Sequence, residues 1–262
     1  MRLQILGSGS RGNAALLWVG GAVVLIDAGL PIRTLTARLE AARIGHKAID
    51  HVLLSHGHLD HARSAGIIAK RHGATLHCAA KIQLHRSVSR APDKKDLPIG
   101  GSTVLALNGS QTDAPIVTTA KVPHDCEPTV AFRIEHAGRR LTLISDMGEP
   151  REEVAKALHD PHVLMLEANY DPEMLKNGPY PQSLRERVQG AGGHLSNDQM
   201  AVMLTRLVGP NLHTVFLIHL SEKNNTPELA KASAQAALAR MGRTDVAVVT
   251  ALQHEALPPI KV

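Results

Sequence analysis

Aromatic side chains are nearly missing from this 262-residue chain, which has two phenylalanines, two tyrosines and one tryptophan. A surface that grips single strands mainly by stacking bases on aromatic platforms needs more of them. Cysteine is as scarce. Cys78 and Cys126 are the whole complement and neither sits in a C-x-x-C pair, which argues against a disulfide framework and against a thiolate zinc site. No apolar run of about 18 residues is present to span a membrane, and "MRLQILGSGS" lacks the charged-then-apolar pattern of a signal segment. The expectation is a protein of the reducing cytoplasm with no membrane partner. Acidic residues are outnumbered, 24 against 29 lysines and arginines, a modest excess that favours an anionic partner such as nucleic acid without establishing one.

What is present is a long series of apolar strands. The length suits one large α/β domain, expected over residues 1–262. "LQIL", "ALLWV" and "AVVLIDAG" open a first group of strands, followed by a helix at about Pro31 to Ile44 and the buried strand "HVLLS". A helix over roughly Asp60 to His72 and the strand "ATLHCA" come next, and the polar "PDKKDLPIGG" reads as a loop. The second group comprises "STVLALN", "PIVTTAKVP", "TVAFRIEH" and "RLTLISD", then a helix near Glu149 to Leu158 and the strand "HVLMLEA". After a Pro- and Gly-rich passage, helices at "SNDQMAVMLTRLV" and "TPELAKASAQAALARM" alternate with the strands "HTVFLIHLS" and "VAVVTA". Two such halves predict two sheets packed face to face with helices outside, a four-layer αββα sandwich.

Chemistry concentrates where apolar runs stop. "LLSHGHLDHA" places His56, His58, Asp60 and His61 just beyond a buried strand, where side chains converge on the carboxyl edge of a sheet. Imidazole and carboxylate are ligands that zinc and manganese accept, and without sulfur the coordination stays open for catalysis. His56 and His58, two apart, point the same way and can share an ion. Asp60 and His61 enter the next turn and can reach a second. His124 in "KVPHDC", Asp146 in "LISDMG" and His219 in "FLIHLS" each end a later apolar run. A lone strand-end histidine is usually structural, but seven candidates in equivalent places point to one centre.

With "HGHLDH" as its signature, the chain resembles the metallo-β-lactamase fold superfamily over nearly its whole length. "LGSGSRGN", "LIDAG", "SDMG", "LEANYD", "NGPYP", "GHLSND" and "HLSEKNN" resemble the YycJ/WalJ-like branch, which is implicated in 5′-exonuclease action on DNA. The resemblance implies a first metal on His56, His58 and His124, a second on Asp60, His61 and His219, and Asp146 bridging them. Two divalent ions, less the charges of Asp60, Asp146 and a bridging hydroxide, leave one positive charge, which a phosphodiester monoanion neutralises. The expected reaction is attack of that hydroxide on phosphorus, with Asp60 orienting it. His194, flanked by glycines in "GGHLSN" and placed by the resemblance near the metals, is the candidate acid for the leaving 3′-oxygen, and Glu167 its orienting partner.

End recognition needs further groups. Ser8, Ser10 and Asn13 lie in a glycine-rich stretch that can form an anion cradle or a tight structural turn. The helix start at Ser196 and Asn197 offers unpaired N–H groups, and Tyr180, Arg185 and Arg187 are placed to line a substrate path. The expected partner is DNA with a 5′-phosphate end, RNA being a second candidate. Two other readings compete: a hydrolase of a small ester, thioester or cyclic phosphodiester, and a non-enzymatic nucleic-acid-binding module, which the open ligand set disfavours. β-Lactam hydrolysis is disfavoured because those zinc enzymes often use a cysteine or a different histidine set where this chain has Asp146.

Overall fold

The computed structural model describes residues 1–106 and 113–262. Its first sheet contains β1 (Arg2–Gly7), β2 (Ala14–Val19), β3 (Ala22–Ile26), β4 (His51–Leu53), β5 (Thr75–Cys78) and β6 (Asp93–Asp96) side by side. The second runs from β7 (Ser102–Val104) through β8 (Ile116–Val122), β9 (Thr129–His136), β10 (Arg139–Ile144), β11 (Val163–Glu167) and β12 (Thr214–Ile218) to β13 (Ala247–Thr250). A short β14 (Ile260–Lys261) returns to pair antiparallel with β1.

Three layers of apolar side chains make the stack, because successive residues of a strand face opposite sides. On β2, Leu16 joins the helices outside the first sheet while Leu17 enters the space between the sheets. On β12, Phe216 and Ile218 meet that same inner layer, and Val215 and Leu217 turn to the helices outside the second sheet. Strands buried on both faces read as unbroken apolar runs. The outer helices are α1 (Ile32–Ala41), α2 (Leu59–Ala62) and α3 (Ala65–His72) on one side. On the other are α4 (Glu152–Leu158), α7 (Asn197–Leu207) and α8 (Pro227–Arg240), while α5 (Pro172–Asn177) and α6 (Gln182–Gln189) share a separate small cluster of Tyr170, Leu175 and Val188. The αββα sandwich predicted from the pattern is the observed architecture.

Local differences have local causes. The helix expected over 60–72 breaks after α2, because Ser64 turns its N–H to Ala28 O and its hydroxyl to Leu30 O. "PDKKDLPIGG" is not wholly a loop: Asp93–Asp96 adds a parallel edge strand to β5, where charged side chains can point to solvent. Two short helices, α5 and α6, fold the passage read as irregular, the first capped by the Asp171 carboxylate accepting from Met174 N. The expected strand at 102–108 is observed as Ser102–Val104, and its last two residues, Leu107 and Asn108, lie outside the described residues. Among the described residues no helix is long and apolar enough to cross a membrane.

Candidate metal centre and cavity

The strand ends converge. β4 runs parallel to β3 and β5, and β10, β11, β12 and β13 are mutually parallel, so their carboxyl ends lie along one edge of the sandwich. His56 and His58 leave β4, Asp60 and His61 occupy α2, and His124, Asp146 and His219 follow β8, β10 and β12. Three site residues, Asp27 at φ 53°, Asp146 at 55° and His219 at 56°, adopt the left-handed backbone region. Such strain is held by surrounding structure and turns these side chains inward from the strand ends.

Two donor sets result, the donor atoms of each lying within 4.8 Å of one another: His56, His58 and His124, and Asp60, His61 and His219. The imidazoles of His58 and His124 face each other with Nδ1 and Nε2 3.2 Å apart. Asp146 stands between the sets, its carboxylate 3.0 Å from His61 Nε2, 3.7 Å from His219 Nε2 and 3.8 Å from His124 Nε2. It also belongs to a third grouping with His56 and His61 and to a fourth with Glu167, His194 and His219.

Two observations test whether cations fit. His56 is fully buried and its Nε2 has no hydrogen-bond partner among the described residues, a costly arrangement that a cation satisfies. Burial, then the neighbouring His61, push His56 well below its ordinary pKa, leaving the neutral ring that ligation requires. The second set shows the reverse field. Burial opposes charge on His61 and His219, yet Asp146 and the nearby carboxylates raise His61 well above its ordinary value and His219 to about 10. The carboxylates thus make the field at this set one that favours positive charge. Nitrogen and oxygen donors without sulfur suit a hard or borderline divalent ion.

A second tier of side chains braces the donors. Asp27, buried at the end of β3, accepts from His61 Nδ1 at 2.7 Å and from the Ser55 backbone N–H and hydroxyl at 2.9 to 3.0 Å. A carboxylate on the far imidazole nitrogen fixes the ring and raises its basicity. Sequence reasoning passed over Asp27, although an aspartate at the end of "VVLIDAG" carried the same strand-end signal as Asp146. It also missed Asn169, whose amide donates to His219 O at 2.8 Å, and Asp125, which binds Arg187 at 2.7 Å while facing His58 and His124 at 3.4 Å.

His194 and Glu167 are together. Glu167 is fully buried and accepts from His194 Nδ1 at 2.7 Å, from Met147 N at 2.9 Å and from Leu195 N at 3.3 Å. It also lies 3.2 Å from His219 Nδ1. Burial disfavours a charged His194, but Glu167 outweighs it and raises the pKa.

A cavity of about 420 Å³ opens over the centre, within the range of small-molecule sites. Ser10, Asn169 and Ser221 supply polar lining, while Leu59, Tyr180 and Leu184 supply apolar surface. Ser10 and Tyr180 thus face the cavity, as does Arg187, whereas five other predicted contacts do not, among them Arg185, which donates to Lys176 O. Ser8 is buried and spends its hydroxyl on Asn13 Oδ1 and His219 N. Asn13 is buried too, accepting from Gly9 N and donating to Gly9 O and Asp60 O, so it braces the α2 turn. Ser196 caps α7 by accepting from Gln199 N, and Asn197 exchanges amide hydrogen bonds with Asn225. Their polar groups are consumed by the fold.

Fold and donor sets together define a metal-dependent hydrolase with the metallo-β-lactamase fold. A family model described as beta-lactamase superfamily domain matches residues 23–220, and the chain belongs to that family. The exodeoxyribonuclease WalJ of Streptococcus pneumoniae serotype 2 is 29% identical over 230 residues, 87% of this chain and 85% of that one. The exodeoxyribonuclease YycJ of Bacillus anthracis is 25% identical over 244 residues, 92% of this chain and 90% of its own. Among solved structures, the metallo-beta-lactamase fold protein YhfI of Bacillus subtilis superposes with a TM-score of 0.71 at 15% identity, covering 98% of each chain.

Proposed function

We propose that residues 1–262 work as one hydrolase domain, a dinuclear phosphodiesterase that removes nucleotides from the 5′ end of DNA in the cytoplasm, preferring single strands. RNA is the second substrate to be tested. The observation that carries this reading is the Asp146 carboxylate standing between two three-residue donor sets beneath the cavity. Similarity to two exodeoxyribonucleases over most of their length supports it.

In this reading His56, His58 and His124 would hold one zinc or manganese ion and Asp60, His61 and His219 another, with Asp146 available to both. Two bound divalent ions would supply Lewis acidity to the phosphate and bring the pKa of water down to about 7. Asp60, which lines the cavity, accepts a hydrogen bond from the attacking water and sets its direction. His194 donates a proton to the departing 3′-oxygen from Nε2, since Nδ1 is committed to Glu167. Glu167 keeps the ring charged and oriented. Ser10 and Tyr180 contact the terminal nucleotide from the cavity lining.

The test is incubation of metal-loaded protein with end-labelled DNA and RNA, each bearing 5′-phosphate or 5′-hydroxyl. Release of mononucleotides from the phosphorylated 5′ end of DNA is expected. Intact strands under every divalent metal tried would leave the reading without support and favour a small ester as substrate.

A further inference from the structure

The basic excess of this chain is confined to one place. Between Arg63 and Asp96 stand eight lysines and arginines against two aspartates, whereas the rest of the chain has 21 against 22. Arg63 closes α2, and Lys70 and Arg71 fall in the last turn of α3. Lys81, Arg86 and Arg90 lie on the turns that follow, and on the edge strand β6 Lys94 stands level with Leu76 on the helix-bearing side, while Lys95, level with His77, points to the other side and is not part of this face. All are exposed except Lys94, which is half-buried. None takes part in an ion pair among the described residues, as is true of twelve of the other 21 lysines and arginines, so what sets the segment apart is the excess of one sign. A solvated surface that serves only solubility mixes its signs; unpaired like charges repel one another and favour an anionic partner.

Position ties this face to the cavity. Arg63 lies one helical turn beyond Leu59, on the same side of α2, and Leu59 lines the cavity. The Arg86–Val88 turn packs on both α2 and α3. Gly66 permits that approach: a Cβ there would stand 2.6 Å from Ser87 O and 3.2 Å from Arg90 N. The face continues along the eight residues of α3, about 12 Å at 1.5 Å per residue, the axial rise of roughly three to four nucleotides.

We propose that this face binds the phosphate backbone of the DNA substrate beyond the nucleotide held in the cavity. The proposal rests on the nuclease reading above and adds where the uncleaved strand runs. It predicts that the face contributes to binding of long substrates and nothing to the chemistry of short ones.

The experiment compares three metal-loaded proteins: the parent, a face variant (Lys70→Gln, Lys81→Gln, Arg86→Gln, Arg90→Gln) and a control carrying Arg139→Gln, Lys231→Gln, Arg240→Gln and Lys261→Gln, which removes equal charge elsewhere. Binding of a hydrolysis-resistant phosphorothioate strand of about 30 nucleotides is followed by anisotropy between about 50 and 200 mM salt. At about 0.7 per phosphate contact on a single strand, the salt slope of the face variant falls by about 3, with binding at least about tenfold weaker, while the control keeps the parental slope. Turnover of bis(p-nitrophenyl) phosphate stays at the parental rate in all three. A face variant with the parental slope, or a control that loses as much, overturns the proposal. So does a parent that binds phosphatidylserine vesicles but not DNA. A parent that hydrolyses the small diester yet degrades no DNA sinks the exonuclease reading instead, and the anisotropy series still judges the face.

Discussion

Gly29 is the position where one methyl group does most harm to the centre. It follows β3 in the turn that also carries Asp27, and a Cβ built on it would stand 1.5 Å from Asp60 O, 1.9 Å from Asp60 C and 2.6 Å from His61 N. The backbone is laced there by hydrogen bonds of 2.7 to 2.9 Å, Asn13 N to Asp60 O, Ala28 N to His61 O and Gly29 N to Asn13 O. Nothing flexible can yield. To reach 3.0 Å, the shortest distance real Cβ atoms keep, the Asp60 carbonyl must retreat by about 1.5 Å. Overpacking of this kind costs about 1–3 kcal/mol of stability, and a 1 Å misplacement of reacting groups can cost about 10²-fold in rate. For Gly29→Ala we therefore expect bis(p-nitrophenyl) phosphate turnover to fall at least about 10²-fold. On the dinuclear reading, metal content measured by mass spectrometry should drop from two ions per chain toward one, because Asp60 and His61 move while His56, His58 and His124 do not. Gly45→Ala is the control, since a Cβ there meets nothing within 4 Å. Folded Gly29→Ala with two ions and parental turnover would refute the claim that close approach of this turn positions the second donor set.

Further outcomes follow from the same geometry. His58→Ala and Asp146→Ala are expected to lose metal and activity together; either variant retaining both would remove that residue from the donor sets. Asp27→Asn, which weakens the brace on His61, is expected to cost about 10- to 100-fold in metal affinity or activity with the fold intact by circular dichroism, and a parental value would make Asp27 merely structural. His194→Ala should keep its metal and slow turnover by about 10²- to 10⁴-fold, whereas turnover at the parental rate excludes it as the acid. Between the sheets, His51 Nδ1 and His77 Nε2 lie 3.1 Å apart, and burial, then His51, hold His77 down to about 3. The unfolded chain binds a proton that native His77 refuses, so this contribution to stability is present above about pH 6.5 and lost as the pH falls, by about 2 kcal/mol at pH 5. Urea melts of the parent and His77→Leu at pH 7 and pH 5 should diverge by that amount, and equal losses in both would acquit His77.

How much of this was legible in the sequence depends on whether the signal was local. The strands were, because burial on both faces makes each one an apolar run, and a strand's end marks the edge where side chains collect. His56, His58, Asp60 and His61 needed only six consecutive positions, and His124, Asp146 and His219 needed only the place where each run stops. Asp27 had the same signal, yet its partner is His61, 34 positions away, and the contact exists because β3 and β4 are neighbours. β6 was hidden for another reason. Four charged residues between turn-formers resemble a loop until β5 offers them an open edge.

The glycine-rich stretch near the N-terminus shows why sequence alone could not choose between a cradle and a brace. Serine and asparagine beside glycine serve either purpose, and the choice turns on which way the side chains point. Here Asn13 Oδ1 accepts from Gly9 N and Ser8 Oγ, both at 2.9 Å, while the Ser8 hydroxyl accepts from His219 N at 2.8 Å, joining residues 211 apart. The stretch has closed on itself and on a donor loop, so no acceptor or donor of Ser8 or Asn13 is left for a phosphate. Only Ser10, the exposed residue between them, looks into the cavity. The substitutions therefore separate by mechanism: Ser8→Ala must act through the position of His219 and alter metal binding, whereas Ser10→Ala must act on substrate alone and raise KM with metal content unchanged. A Ser8→Ala protein with parental metal affinity and a raised KM would reverse that assignment and restore the cradle.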